Sequence, residues 1–421
     1  MQVHLPYGKT SIPIEAPPER VITSRLRDMK SACSGRQLVV QAMQQPIGSP
    51  RLCELAKGRK NAVVIISDHT RPVPSREILP PMLQELRQGN PEIDVTLLVA
   101  TGCHRATSMQ ELAHKLGPEL VRQEKIVVHD AFCPERNTQL GFLPSGAPLI
   151  VDRLAAETEL LVAEGFIEPH FFAGFSGGRK SVLPGVCSAA TVLGNHCGSF
   201  IAHPAARTGN LEQNPIHLDM EAAAELARLQ YIVNVVIDEE KNTVAAFAGD
   251  FRKAHAAGAA FLRRYCQAEP IFGDVVVTTN GGAPLDQNLY QCVKALTAAE
   301  ATASPGGTII LCAEMADGIG GEQFYRDMKS CASPAQLYAE LSSRPQAQTV
   351  PDQWQTQILC RVRMRHRVIF VTRPEMQAAI EDMKLEYAPD LQTALAMAGG
   401  GSLTVVPDGV GVCIRSTQDA G

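Results

Sequence analysis

The chain is predicted to be an α/β protein of two domains, each built on a mainly parallel sheet, with a site in the cleft between them. Three observations carry this expectation. Short apolar runs rich in β-branched residues recur along the sequence: AVVII at Ala62–Ile66, VTLLVA at Val95–Ala100 and a third run at Leu160–Ala163. Such runs suit strands buried on both faces of a parallel sheet. The first two runs each lead through a polar turn into a helical pattern, so strands and helices alternate. A chain of 421 residues also exceeds one ordinary core, and two domains are the natural division.

The elements follow in order. Up to about Gly35 the alternation of apolar and polar residues around Pro13, Pro17 and Pro18 predicts one or two short strands. The AVVII strand ends in Ser67-Asp68-His69-Thr70-Arg71-Pro72, and a helix is predicted from Ser75 to about Arg87. The VTLLVA strand ends in Thr101-Gly102-Cys103-His104-Arg105, before a helix near Ser108–Leu116. The third strand leads into Glu164–His196, which joins His170, a glycine-rich turn, Lys180 and His196. Ligands collect at the carboxyl ends of strands in open α/β sheets, so these three loops are expected to meet in one crevice. A further strand at Val233–Ile237 and a helix at Asp250–Cys266 complete the first domain, 1–269. After a proline-containing linker, strands at Val275–Thr279, Thr308–Cys312, Val368–Thr372 and Leu403–Val406 form the second, 270–404. The tail, 405–421, is expected to join the first domain.

Composition narrows the function. Apolar residues make up 45% and charged residues 20%, the balance of a folded globular chain. The net charge of −5 and the absence of basic blocks argue against nucleic acid or a membrane surface as partner. The N-terminus has no basic segment followed by an apolar one, and no apolar run approaches the ~18 residues that span a bilayer. A cytoplasmic protein is expected. Twelve cysteines are scattered and never spaced as CxxC, which argues against zinc ribbons and a disulfide framework.

Gly174, Gly177 and Gly178 permit positive φ or close approach of a ligand. A lysine and serine, Lys180-Ser181, then open a helical turn, an order that suits an anion such as phosphate. It is not a Walker P-loop, because Arg179 stands where the pattern needs glycine. Lys180 also suits covalent attachment of a cofactor, since a lysine in an apolar pocket has a lowered pKa. Arg71, just beyond a strand end, suits a carboxylate or phosphate. His104 alone reads as a strand-end histidine, whereas His170 and His196 lie among small and apolar residues. The three fit no protein-only metal template, which leaves single-histidine ligation beside a cofactor. Tyr290, Gln291 and Lys294 open a helix with Gln291 and Lys294 on one face, toward an anionic substrate or as an ordinary amphipathic surface.

Together SDHTRP at 67–72, TGCHR at 101–105, GFIEPHFFAGFSGGRKSVLPG at 165–185, GNH at 194–196 and NGGAPLDQNLYQCVKAL at 280–296 resemble the nickel-pincer-nucleotide-dependent lactate racemase family, LarA. The motifs lie in the family's order across both expected domains. The resemblance implies that Lys180 carries the pyridinium mononucleotide and that His196 completes nickel coordination. It implies His104 and His170 as the acid/base pair, and Arg71, Tyr290, Gln291 and Lys294 around the substrate. Asp68, Thr70 and the Ser176-Gly177-Gly178 turn fall where the nucleotide is held. The implied activity is racemisation or epimerisation of a 2-hydroxy acid through hydride transfer and a 2-oxo acid. It also implies host maturation enzymes that build the cofactor. Ala106 and Cys103 depart from the family pattern beside His104, leaving lactate, longer, aromatic, dicarboxylic or sugar acids as substrates. Two other readings stand beside this: a pyridoxal-phosphate enzyme with Lys180 as Schiff base, and a non-catalytic anion- or nickel-binding protein of the same fold.

Overall fold

The computed structural model describes residues 1–238 and 240–415, so residues 416–421 of the tail lie outside the described residues. The first two strands, β1 (Gln2–Tyr7) and β2 (Thr10–Glu15), form an antiparallel hairpin. A six-stranded sheet follows. Its elements are β3 (Asn61–Ser67), α1 (Ser75–Gly89), β4 (Asp94–Ala100), α2 (Met109–Leu116), β5 (Lys125–Val128) and β6 (Leu161–Phe166). They continue with α3 (Ala189–Asn195), α4 (Pro215–Leu226), β7 (Leu229–Ile237), β8 (Thr243–Gly249) and α5 (Phe251–Cys266).

In space the strands run β8-β7-β6-β3-β4-β5, all parallel except β8. From β3 the chain moves outward through β4 to β5, then returns to lay β6 on the other side of β3. The order therefore reverses between β3 and β6, and a crevice opens there at the strands' carboxyl ends. Helix boundaries follow local chemistry. Ser108 caps α2 by accepting from Glu111 N–H while the Glu111 carboxylate takes the Ser108 N–H, a reciprocal capping box. Asp250 caps α5 in the same region of the chain that the sequence marks as its start.

The second sheet contains β9 (Gly273–Thr279), α6 (Leu289–Glu300), β10 (Ala303–Cys312), α7 (Gln353–Arg365), β11 (Arg367–Val371), β12 (Glu386–Ala388) and β13 (Leu403–Val406). Its order is β12-β11-β10-β9-β13, parallel throughout. The N-terminal hairpin packs here, with Val3, Leu5 and Ile14 sharing a core with Val275 and Val277. Short stretches at Gln267–Ala268 and Cys413–Ile414 pair in parallel, tying the chain after β13 to the segment that joins the sheets. Every cysteine is a free thiol, most of them buried. No helix among the described residues is long and apolar enough to cross a membrane.

Candidate active site

A cavity of about 530 Å³ lies where the loops after β3, β4 and β6 face the starts of α6 and α7. Of the residues singled out from sequence, Asp68, Arg71, His104, His170, Ser176, Gly177, Lys180, His196, Tyr290, Gln291 and Lys294 line it. Thr70 and Gly178 do not. The Thr70 hydroxyl donates to Asp68 Oδ1 at 2.7 Å, and the Gly178 N–H donates to Asn234 Oδ1 at 2.7 Å. Both shape the lining from behind.

The loop after β3 buries Asp68, whose Oδ2 accepts from His104 Nδ1 at 2.8 Å across the crevice. Burial alone would raise this carboxyl, but His104 and Thr70 outweigh it and hold it below the ordinary range. With the His104 proton held at Nδ1, its Nε2 is left with a lone pair. The imidazole itself is exposed at the cavity mouth, beside exposed Arg71.

The loop after β6 is wrapped around one arginine. Arg179 is 1% exposed and donates to the carbonyls of Ala173 and Phe175 at 2.8 Å and of Gly177 at 3.2 Å, while its Nε reaches His217 Nδ1 at 2.9 Å. The position that breaks the Walker pattern thus pins the turn from inside. Gly177 and Gly178 have φ of +78° and +53°, and a Cβ at Gly178 would stand 2.9 Å from His255 Cβ. Only glycine fits that combination.

This turn delivers Lys180 and, upstream, His170, both half-buried. His170 Nδ1 accepts the Ala173 N–H at 3.2 Å, so the neutral ring carries its proton on Nε2. Burial, then Lys180, Lys294 and Arg71, push His170 well below its usual value. Burial and the neighbouring Arg179 and Arg71 likewise hold the Lys180 amine well below the lysine range. The two histidines are therefore inequivalent: His104 leans on a carboxylate, whereas His170 faces cations.

His196 ends α3. Its Nδ1 donates to Val192 O at 3.0 Å, which leaves Nε2 bare, and burial with Lys180 lowers its pKa to about 3. A neutral imidazole with one free lone pair is a metal ligand. Among the described residues no three His, Cys, Asp or Glu side chains converge to hold an ion. A metal at His196 would need its other ligands from a cofactor.

From the second sheet, Asn288 caps α6 by accepting the Gln291 N–H at 2.9 Å, which aims Tyr290, Gln291 and Lys294 at the cavity. Sequence reasoning missed several contributors. Trp354 at the start of α7 donates to Tyr290 Oη at 2.9 Å and meets the His196 ring edge-on at 5.0 Å. Phe172 packs against both His170 and His196, at 4.6 and 5.1 Å between ring centres. Glu168 lies near enough to Arg71, Lys294 and Lys180 to be influenced by all three, yet pairs with none. Trp354 is the one tryptophan in the chain, a signal available in the sequence. Nothing local ties it to Tyr290, 64 residues upstream, or to the still more distant His196.

Two family models match: one described as the lactate racemase N-terminal domain, over residues 7–209, and one as the lactate racemase C-terminal domain, over 268–414. The chain is 48% identical to a lactate racemase of Thermoanaerobacterium thermosaccharolyticum, covering 98% of this chain and 99% of that protein. It is 44% identical to a lactate racemase of Lactiplantibacillus plantarum with the same coverage. Among solved structures, the lactate racemase apoprotein from T. thermosaccharolyticum superposes with a TM-score of 0.95 at 47% identity, covering 99% of this chain and 100% of that one. A protein from Thermotoga maritima at 18% identity, TM-score 0.67, covering 90% of this chain and 97% of that one, shares the fold.

Proposed function

The chain belongs to the lactate racemase family, and from that premise we propose that it is an isomerase inverting C2 of a small 2-hydroxy acid, lactate first among the candidates. One observation supports this most. Arg71, Lys180 and Lys294 meet around one cavity with His104 and His170, and none of the three cationic side chains has a hydrogen bond or ion pair to a described residue. Arg71 and Lys294 repel each other and disfavour a proton on Lys180, with the nearby Glu168 carboxyl as partial relief, so an arriving anion is favoured there.

The residues fit a nickel-pincer nucleotide. Lys180 presents an amine deprotonated readily enough to bond covalently, and His196 presents a bare Nε2 of the imidazole type that suits nickel. When bound, that group supplies a hydride acceptor for the substrate's C2, leaving a planar 2-oxo acid. The protein's part is positioning and proton transfer. Arg71 and Lys294 hold the carboxylate. His104, its Nδ1 proton fixed by Asp68, receives the hydroxyl proton of one enantiomer at Nε2. His170 takes the hydroxyl proton of the other at Nε2 in the tautomer that carries its own proton on Nδ1 and gives up the Ala173 contact. Phe171, Phe172 and Trp354 wall the site against water. The test is to screen matured protein against chiral 2-hydroxy acids in heavy water. Inversion with the α-hydrogen retained supports the reading; rapid wash-in of deuterium at C2 overturns hydride return.

Two further outcomes are expected. Burial and Arg71 push Lys294 down to about 8, so it is charged at neutral pH and loses its proton above that value. The kcat/KM should then fall about tenfold per pH unit above the Lys294 pKa, through KM, because a bound carboxylate keeps the ammonium charged. Lys294→Met should abolish that limb, and a wild-type profile flat well past the Lys294 value would refute the assignment. Trp354→Ala should cost lactate roughly tenfold or more in kcat/KM while longer 2-hydroxy acids gain relative to it, since pocket volume discriminates at about that scale. Steady-state kinetics on a chain-length series checks this, and an unchanged preference counts against Trp354 as the wall.

A further inference from the structure

His196 stands between α3 and the short helix Gly198–Ala202, and its backbone N–H and its Nδ1 both bond to Val192 O at 3.0 Å. The turn that carries it is met on either flank by a glutamine from the second sheet's part of the chain. Two residues before His196, the Gly194 carbonyl accepts from Gln346 Nε2 at 3.0 Å. Two residues after it, the Gly198 carbonyl accepts from Gln357 Nε2 at 2.8 Å. Trp354, on the same helix as Gln357, meets the His196 ring itself.

Gly194 lies in the last turn of α3, where carbonyls have no partner within the helix, and Gln346 supplies one from 152 residues away. Gln357 is 0% exposed, and its Nε2 also donates to Ser342 Oγ at 3.1 Å. A carbonyl can only accept, so the amide's orientation is settled and its Oε1 is the atom left buried without a partner among the described residues. An apolar side chain of the same shape would avoid that cost, so packing alone does not account for this glutamine. The seam is also too tight for a side chain: a Cβ on Gly198 would fall 1.8 Å from Leu341 O. The backbone on both sides of His196 is thus set from across the seam, and not by α3 alone.

We propose that Gln346 and Gln357 are positioning residues that clamp the His196 turn from both flanks and so fix where its Nε2 points. Neither lines the cavity, so both act through His196. Groups that orient a metal-binding imidazole are typically worth about 10–100-fold in metal affinity or activity. The inference rests on the functional reading above, in which His196 holds nickel.

The test compares matured wild type with Gln346→Met, Gln357→Met, the double variant and Gln353→Met. Methionine keeps roughly the length and bulk of glutamine but cannot donate a hydrogen bond. Intact mass reads the Lys180 adduct, transfer of nickel to EDTA over time reads the metal, and thermal unfolding of each apoprotein monitors the fold. Both single variants should carry the adduct as wild type does yet release nickel about tenfold faster, and the double variant faster still. Gln353→Met removes a buried amide from the same turn of α7, one bonded to Arg344 and to the Val350 N–H, and should release nickel at the wild-type rate. The single variants decide the matter if the double variant unfolds. Nickel release from both at the wild-type rate overturns the clamp and leaves the functional reading standing. Equally fast release from Gln353→Met shows a general loosening of α7 and overturns it too. Wild type that acquires neither adduct nor nickel brings down the functional reading, and the clamp with it.

Discussion

Lys180→Arg and Lys180→Met, matured beside the wild type, should show the mass of the bare polypeptide and racemise no faster than about a thousandth of the wild-type rate, as expected when the group carrying the chemistry is removed. Arginine keeps the charge and much of the reach but has no amine that can be acylated. The Lys180 side chain is half-buried beside Arg179, Arg71 and Lys294, which all disfavour its protonation. Its ammonium is therefore a cost in the apoprotein, and Lys180→Met should melt no lower than wild type. Loss of function without loss of stability separates a working lysine from a structural one. An adduct or substantial turnover in either variant would remove Lys180 from the mechanism.

His104→Ala and His170→Ala should each lower racemisation by about 10²–10⁴, the usual worth of a positioned acid or base. The two enantiomers of a simple 2-hydroxy acid have equal free energy. Each variant must therefore lose kcat/KM equally in both directions, and steady-state rates cannot tell the histidines apart. Single-turnover experiments can. With loaded enzyme and one enantiomer, acid quenching should release 2-oxo acid from one hand only in His104→Ala and from the other hand only in His170→Ala. If both variants form oxo acid equally from both enantiomers, the two-sided assignment fails. Asp68→Asn should resemble a milder His104→Ala, because the amide can no longer fix the Nδ1 proton with a full charge.

Much of the site was legible from local pattern. The strand predicted at Ala62–Ile66 is Asn61–Ser67, and the helix predicted from Asp250 begins one residue later with Asp250 as its cap. The polar loops after β3, β4 and β6 converge because parallel strands with crossover helices put their carboxyl ends on one edge. Glycines 177 and 178 were readable as backbone requirements, and their positive φ bears this out. Less legible were contributions that depend on remote partners. In sequence Arg179 only breaks the Walker pattern, and the folded loop alone shows it gripping three carbonyls and His217. Trp354 had no motif around it, yet α7 carries it to His196. Sequence order puts the N-terminal hairpin with the strands that follow it, but its apolar face finds Val275 and Val277.

By itself the sequence determined which residue types end each strand, where the backbone needs glycine, and which lysine and histidines stand within one loop's reach. These are short-range properties, set by steric limits and by the period of apolar residues. Only the tertiary structure decided that His104 rests on a carboxylate while His170 faces cations, and that Lys180 loses its proton readily. Proton affinity and hydrogen-bond satisfaction depend on what lies within a few ångströms, and here those neighbours come from segments tens to hundreds of residues apart.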